Sequence, residues 1–285
     1  DYVEAYVPPP LLVELSEFEG VLWVDTIFPP QPSILSQGRS THGVPPWNTR
    51  GFTGAGVKVG IIDSGFEGFG ALMGTELPST VVAHCYTSMG VFTSNLTDCE
   101  ADGDHGTNVS EIVIDIAPQV SMYIANPISR GDLQSVVAWM VSEGVSVVNM
   151  SLSWTWDGPG DGTSPSSDSP LKTVDQAVTG GILWANAAGN AANSSWFGSY
   201  SNTDGDKWIA FNGLGSELNE VELSAGEKII AQARWDDSWG NAARDFDLYL
   251  YDTSLNLMES SENDQFGGNY GNPYERLTFT APVTA

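Results

Sequence analysis

The run GVKVGIIDSGF, residues 56–66, carries an apolar strand pattern that ends on an acid, Asp63. A carboxylate at a buried strand end is costly unless a hydrogen-bonded or charged partner receives it. One chemistry open to an apolar-led Asp-Ser-Gly is a pair of carboxylates sharing a proton, which needs two such loops. No second apolar-led Asp-Ser/Thr-Gly occurs, so that route lacks its other half. The remaining candidates are an imidazole and an amide. His105, in DGDHGTNVSEIV, stands at the amino end of a helical pattern, and Gly106 beside it allows another chain to approach closely. Asn190 closes the segment WANAAGN, where a side-chain amide can either donate to a ligand or cap a turn after Gly189.

The elements that must position these residues follow from hydrophobic periodicity. VKVGII, SMYIA, VSVVNM and ILWANA read as strands, separated by helical patterns in GTNVSEIVIDIAP, GDLQSVVAWMVSEG and SDSPLKTVDQAVTGG. Asp132 is the expected cap of the second helix and Gly144 its stop, and Pro170 sits near the first position of the third. Strand and helix in alternation predict an α/β fold with a parallel sheet flanked by helices and ligands beyond the carboxyl ends of the strands. Asp63, Ser151 and Asn190 all fall at or just after such ends. Near residue 205 the pattern changes: VELSAG, KIIAQARW, FDLYLYD and LTFTAP alternate with period two between Gly, Asn, Asp and Ser, predicting an antiparallel β module. The expected division is 1–38 as an N-terminal extension and linker, 39–204 as the α/β domain, and 205–285 as the β module.

Thirty-six acids against ten bases give a formal charge of −26, which repels nucleic acid and anionic membranes and suits a protein that works in salt or binds cations. No stretch reaches the roughly 18 apolar residues of a membrane span. Cys85 and Cys99 are the two cysteines. A disulfide between them would contribute about 3 kcal/mol and imply an oxidising compartment, and the other reading is two reduced thiols. Asp236, Asp237, Asp245 and Asp247 gather in the β module, where their hard oxygens suit calcium or form a solvated acidic face.

Taken in order, VGIIDSG, DHGTNV, NMSLSW and ANAAGN resemble the four successive motifs of the subtilisin-like serine proteases, the subtilases, over roughly residues 40–200. The resemblance implies a secreted, extracellular serine endopeptidase acting on protein or peptide substrates. It carries Asp63 to the acid that orients the base, His105 to the general base, and Asn190 to the side-chain donor of the oxyanion hole. Ser151, Leu152 and Ser153 become the strand that pairs with substrate backbone. The β module is similar to the jelly-roll domains of pre-peptidase C-terminal type, in which acids bind calcium. Here it would interrupt the protease between its Asn and its Ser.

The family's nucleophile stands in a Gly-Thr-Ser-x-Ala/Ser-x-Pro segment downstream of the oxyanion Asn, and nothing after Asn190 matches it. One GTSP occurs at 162–165, inside a Gly/Pro/Ser loop ahead of the Asn, which makes Ser164 a poor nucleophile. The expectation is therefore the amino-terminal portion of a longer protease, inactive alone, whose remaining C-terminal part is its partner. LLVELSEFEGVLWVDTIF, residues 11–28, is an apolar segment that with Pro29 and Pro30 resembles the tail of a subtilase propeptide and reads equally as a plain extension packing on the core. The competing class is a non-catalytic binding or adhesion protein in which the β module acts and the α/β part is a scaffold.

Overall fold

The computed structural model describes residues 11, 15, 31–32, 39–154, 158–190, 194–202, 205–211, 217–265 and 271–282. The apolar segment 11–28 lies outside them except for Leu11 and Leu15. The chain divides into two compact units, one of Asp1–Asp157 with Ser166–Asn190 and one of Gly158–Pro165 with Ala191–Ala285.

In the first unit the strands are β1 (Gln31–Pro32), β2 (Lys58–Ile62), β3 (Val82–Tyr86), β4 (Phe92–Thr93), β5 (Ser121–Ala125), β6 (Val147–Met150), β7 (Leu152–Ser153) and β8 (Leu183–Asn186). The helices are α1 (Pro45–Thr49), α2 (Phe69–Leu72), α3 (Leu96–Cys99), α4 (His105–Ile116), α5 (Arg130–Ser142) and α6 (Pro170–Thr179). Six strands form one sheet in the order β4-β3-β5-β2-β6-β8, parallel except for β4. This is the α/β class that the alternation of strands and helices predicts.

Successive side chains of a strand point to opposite faces, and both faces of this sheet are apolar. Val59 and Ile61 of β2 join Met122 and Ile124 of β5 on one face, where Phe66, Phe69 and the half-buried Val109 and Val113 of α4 cover them. On the other face Ile62, Tyr123, Val148 and Met150 pack with Leu133, Val136, Val137 and Met140 of α5 and Ala177 of α6. The cap of α5 is Ser129, whose Oγ accepts the Asp132 N–H at 3.1 Å, while the Asp132 carboxylate reaches back to the Ser129 N–H. The expected cap Asp132 is thus the third helical residue of a capping box, because a carboxylate there can satisfy the backbone donor that Ser129 leaves open.

Cys85 and Cys99 form a disulfide, with both residues fully buried. It ties the end of β3 to the end of α3. No helix among the described residues is long and apolar enough to cross a membrane.

In the second unit β9 (Lys228–Arg234) pairs antiparallel with β12 (Tyr274–Thr280), and β10 (Leu248–Tyr251) pairs antiparallel with β11 (Leu257–Ser261). VELSAG forms no strand, and LMESS, too polar and unpatterned to read as one, forms β11. Glu275 of β12 is fully buried, its carboxylate receiving the Asn263 N–H at 2.8 Å, the Asn263 Nδ2 at 2.9 Å, the Ser261 hydroxyl and the Gln265 amide.

Candidate active site

Asp63 is the first residue beyond β2, and its backbone N–H still joins the sheet by donating to Ala125 O at 3.0 Å. Its side chain is wholly buried. The Ser64 N–H donates to Oδ1 at 2.8 Å, and the Ser64 hydroxyl stands 3.5 Å away. His105 opens α4 and places Nδ1 2.8 Å from Oδ1 and 2.9 Å from Oδ2 of Asp63. An ionised carboxylate can only accept, so Nδ1 carries the proton and Nε2 is left as the ring's acceptor. The His105 side chain keeps 26% of its surface open while the acid keeps none. Burial pushes the Asp63 carboxyl above its ordinary range, and the hydrogen bonds from His105 and Ser64 pull it back toward ionisation.

The two residues are 42 apart in sequence and meet through a seam of backbone bonds. Gly106 N–H donates to Gly65 O, Glu67 N–H to Gly103 O and Phe66 N–H to Cys99 O, each at 2.8 Å. A Cβ on Gly106 would stand 2.6 Å from Gly65 O and 2.8 Å from the Asp63 Cβ, so only glycine admits this approach.

Ser151 follows β6, and Leu152 and Ser153 form β7. Asn149 Nδ2 donates to Ser151 Oγ at 3.1 Å. β7 pairs antiparallel with β1, Gln31 opposite Ser153 and Pro32 opposite Leu152. Asn190 lies beyond the end of β8, exposed. Because β2, β6 and β8 are successive neighbours in a parallel sheet, Asp63, Ser151 and Asn190 share its carboxyl edge. Ser164 falls in the other unit.

The four aspartates of the β module are not brought together around one point. Asp237 Oδ2 accepts from the Ala243 and Arg244 N–H groups and from Arg244 Nε, and its Oδ1 takes the Ser238 N–H. Asp247 accepts from the Tyr249 hydroxyl, and Asp245 from the Gln265 N–H. Among the described residues no three His, Cys, Asp or Glu side chains are placed to hold a metal ion. With protein donors already on Asp237, Asp245 and Asp247 and no three of the carboxylates around one point, the expected calcium set does not fit that ion.

Sequence reasoning missed Ser64, the buried Asn126 and the β1–β7 pairing. The Asp-Ser-Gly and His-Gly sequences are visible signals for the first and for the close approach at Gly65 and Gly106. The strand pairing had none.

A parallel α/β sheet thus sets a buried carboxylate against a partly exposed imidazole just beyond its strand ends. The model of the subtilase family matches residues 54–216, and the chain belongs to that family. Subtilisin E of Bacillus subtilis (strain 168) is 32% identical over 196 residues, covering 64% of this chain and 47% of the relative. Subtilisin DY of Bacillus licheniformis is 32% identical over 202 residues, 62% of this chain and 63% of its own. The minor extracellular protease Epr of Bacillus subtilis (strain 168) is 29% identical over 186 residues, 56% and 26%. Among solved structures, fervidolysin from Fervidobacterium pennivorans, a keratinolytic enzyme related to subtilisin, matches with a TM-score of 0.40 and 16% identity over 82% of this chain and 36% of that one. The chain spans about half the length of the first curated relatives it matches.

Proposed function

We propose that this chain supplies the acid, the base and the oxyanion amide of a secreted serine endopeptidase, with residues 39–204 as its catalytic part and 205–285 as an inserted β module of jelly-roll type. The observation that carries the reading is the Nδ1 contact of His105 with the buried Asp63. In this reading substrate backbone adds to β7 as an antiparallel strand, the mode in which Gln31–Pro32 lies against it. His105 Nε2 takes the proton of a serine hydroxyl as that oxygen attacks the peptide carbonyl, then returns it to the leaving amine. Asp63 fixes the tautomer and stabilises the imidazolium that forms. Asn190 Nδ2 donates to the oxyanion, a bond of the kind that lowers the barrier by about 3–4 kcal/mol.

No serine among the 285 residues stands in the family's nucleophile context after Asn190, so the reading assigns the nucleophile to sequence outside them. Labelling with a fluorophosphonate probe tests it, comparing this chain with the full parent product. Labelling of the parent alone is expected. Labelling of the 285-residue chain that disappears in Ser164→Ala would place the nucleophile at Ser164 and sink the assignment.

A further inference from the structure

One buried side chain outside the pair is bonded to both segments that lead toward His105. Asn126, the first residue beyond β5, is 1% exposed. Its Oδ1 accepts the Tyr86 N–H at 2.7 Å, and its Nδ2 donates to Tyr86 O at 3.1 Å and to Asp98 O at 3.3 Å. Tyr86 ends β3 and Asp98 lies in α3. The Cys85–Cys99 disulfide cross-links the same two segments one residue away on each. The Cys99 sulfur lies 3.6 Å from Asn126 Oδ1, a packing contact, since a disulfide sulfur has no proton to donate.

Cys99 is also where the seam to the site begins. Its carbonyl accepts the Phe66 N–H, and from there residues 99–106 run along the loop that follows Asp63, held by the Gly103 and Gly106 bonds already described. The two segments approach closely there: a Cβ on Gly65 would stand 2.1 Å from Ala101 O. A shift of Cys99 is therefore passed to the start of α4 rather than absorbed in the loop. Asn126 uses its acceptor and its amide donors on backbone groups at the anchored end, and an apolar side chain there would leave three of those groups unpaired.

The geometry points to Asn126 as a positioning residue for His105: together with the disulfide it anchors the far end of the 99–106 seam and so sets the Nδ1–carboxylate contact at Asp63. It touches no reacting atom. Only the catalytic consequence rests on the proposed function.

The test is NMR of the 285-residue chain labelled with 15N-histidine, following water exchange of the His105 Nδ1 proton beside the melting temperature. Asn126→Ala, and the milder Asn126→Ser should the first not fold, are expected to speed exchange about tenfold or more. Adding Cys85→Ala/Cys99→Ala to Asn126→Ser should exceed the product of the separate effects, because the two tethers share one load. Val137→Ala, a core truncation on the opposite face of the sheet, should lower the melting temperature and leave the exchange rate unchanged. If the Asn126 variants behave like Val137→Ala, melting lower with exchange within twofold of wild type, the positioning role is overturned. In the parent, Asn126→Ser should slow fluorophosphonate labelling about tenfold. A wild-type parent that fails to label would remove the proposed function, while the exchange rates would still decide the role of Asn126.

Discussion

His105 Nδ1 lies within 2.9 Å of both carboxylate oxygens of Asp63, a residue with no exposed surface. The contact fixes one tautomer and leaves Nε2 as the ring's acceptor. The burial of Asp63 also bears on stability, which can be measured apart from activity.

Asp63→Asn separates the two. Burial raises the carboxyl above 3.8, so the stability it contributes is full below that pH and falls as pH rises through the folded pKa. Above the folded pKa the ionised group therefore costs folding free energy, and there the isosteric amide should melt no lower than wild type. Labelling of the parent should fall about 10³- to 10⁴-fold, since the amide no longer selects the tautomer or stabilises the imidazolium. Calorimetry above the folded pKa beside labelling rates checks both. A lower melting temperature would contradict the burial argument.

His84 gives a stability slope of opposite sign. Its ring sits 4.1 Å from Phe92 and 4.8 Å from Trp139 between centroids, and burial lowers its pKa from 6.5 to about 4. Between those values the unfolded chain binds more protons, so stability is full above pH 6.5 and is lost as pH falls through 4. The effect amounts to about 1–2 kcal/mol once screening of a half-buried ring is allowed for. His84→Phe should flatten the dependence over this window in urea melts. An unchanged slope would assign it to other groups.

Gly106→Ala should act through geometry. The added Cβ meets Gly65 O, the Phe66 ring and the Asp63 Cβ at 2.6–2.8 Å, and two of these cannot swing aside. We expect about 1–3 kcal/mol of destabilisation, loss of the protected His105 Nδ1 proton, and loss of labelling in the parent. A variant that keeps the proton signal would show that the seam can yield.

The disulfide should contribute about 3 kcal/mol, the value for a loop of this length, here 14 residues of separation. Denaturant unfolding of Cys85→Ala/Cys99→Ala against wild type measures it. A difference below about 1 kcal/mol would mean that the Asn126 hydrogen bonds already hold the two segments.

Glu275→Ala should destabilise the β module by about 2–4 kcal/mol, because donors from Ser261, Asn263 and Gln265 lose a common buried acceptor. The His105 proton signal should be unaffected. Hydrogen exchange at β9–β12 reports the first effect and NMR the second.

The order of strands and helices in the first unit can be read from the amino-acid pattern. Apolar periodicity, turn glycines and Pro170 are local signals, and a parallel sheet buried on both faces writes them strongly. The pattern also marked Asp63, His105 and Asn190 as chemically unusual ends of such elements. The β module was less legible: β11 is polar and takes strand form because β10 supplies its hydrogen-bond partner, while VELSAG alternates well yet forms no strand, its Gly226 N–H alone reaching Ala281 O. The cap of α5 was misplaced by three residues because Ser129 and Asp132 act reciprocally. The three-dimensional fold was needed to show that the two cysteines join, that Gln31–Pro32 lies against β7, and that Asp237, Asp245 and Asp247 already accept from protein donors. The motifs paired Asp63 with His105, but the fold showed how they meet across 42 residues, through backbone bonds that need two glycines at one crossing. Such contacts depend on the path of the chain between distant elements, and that path leaves no periodicity for a sequence to display.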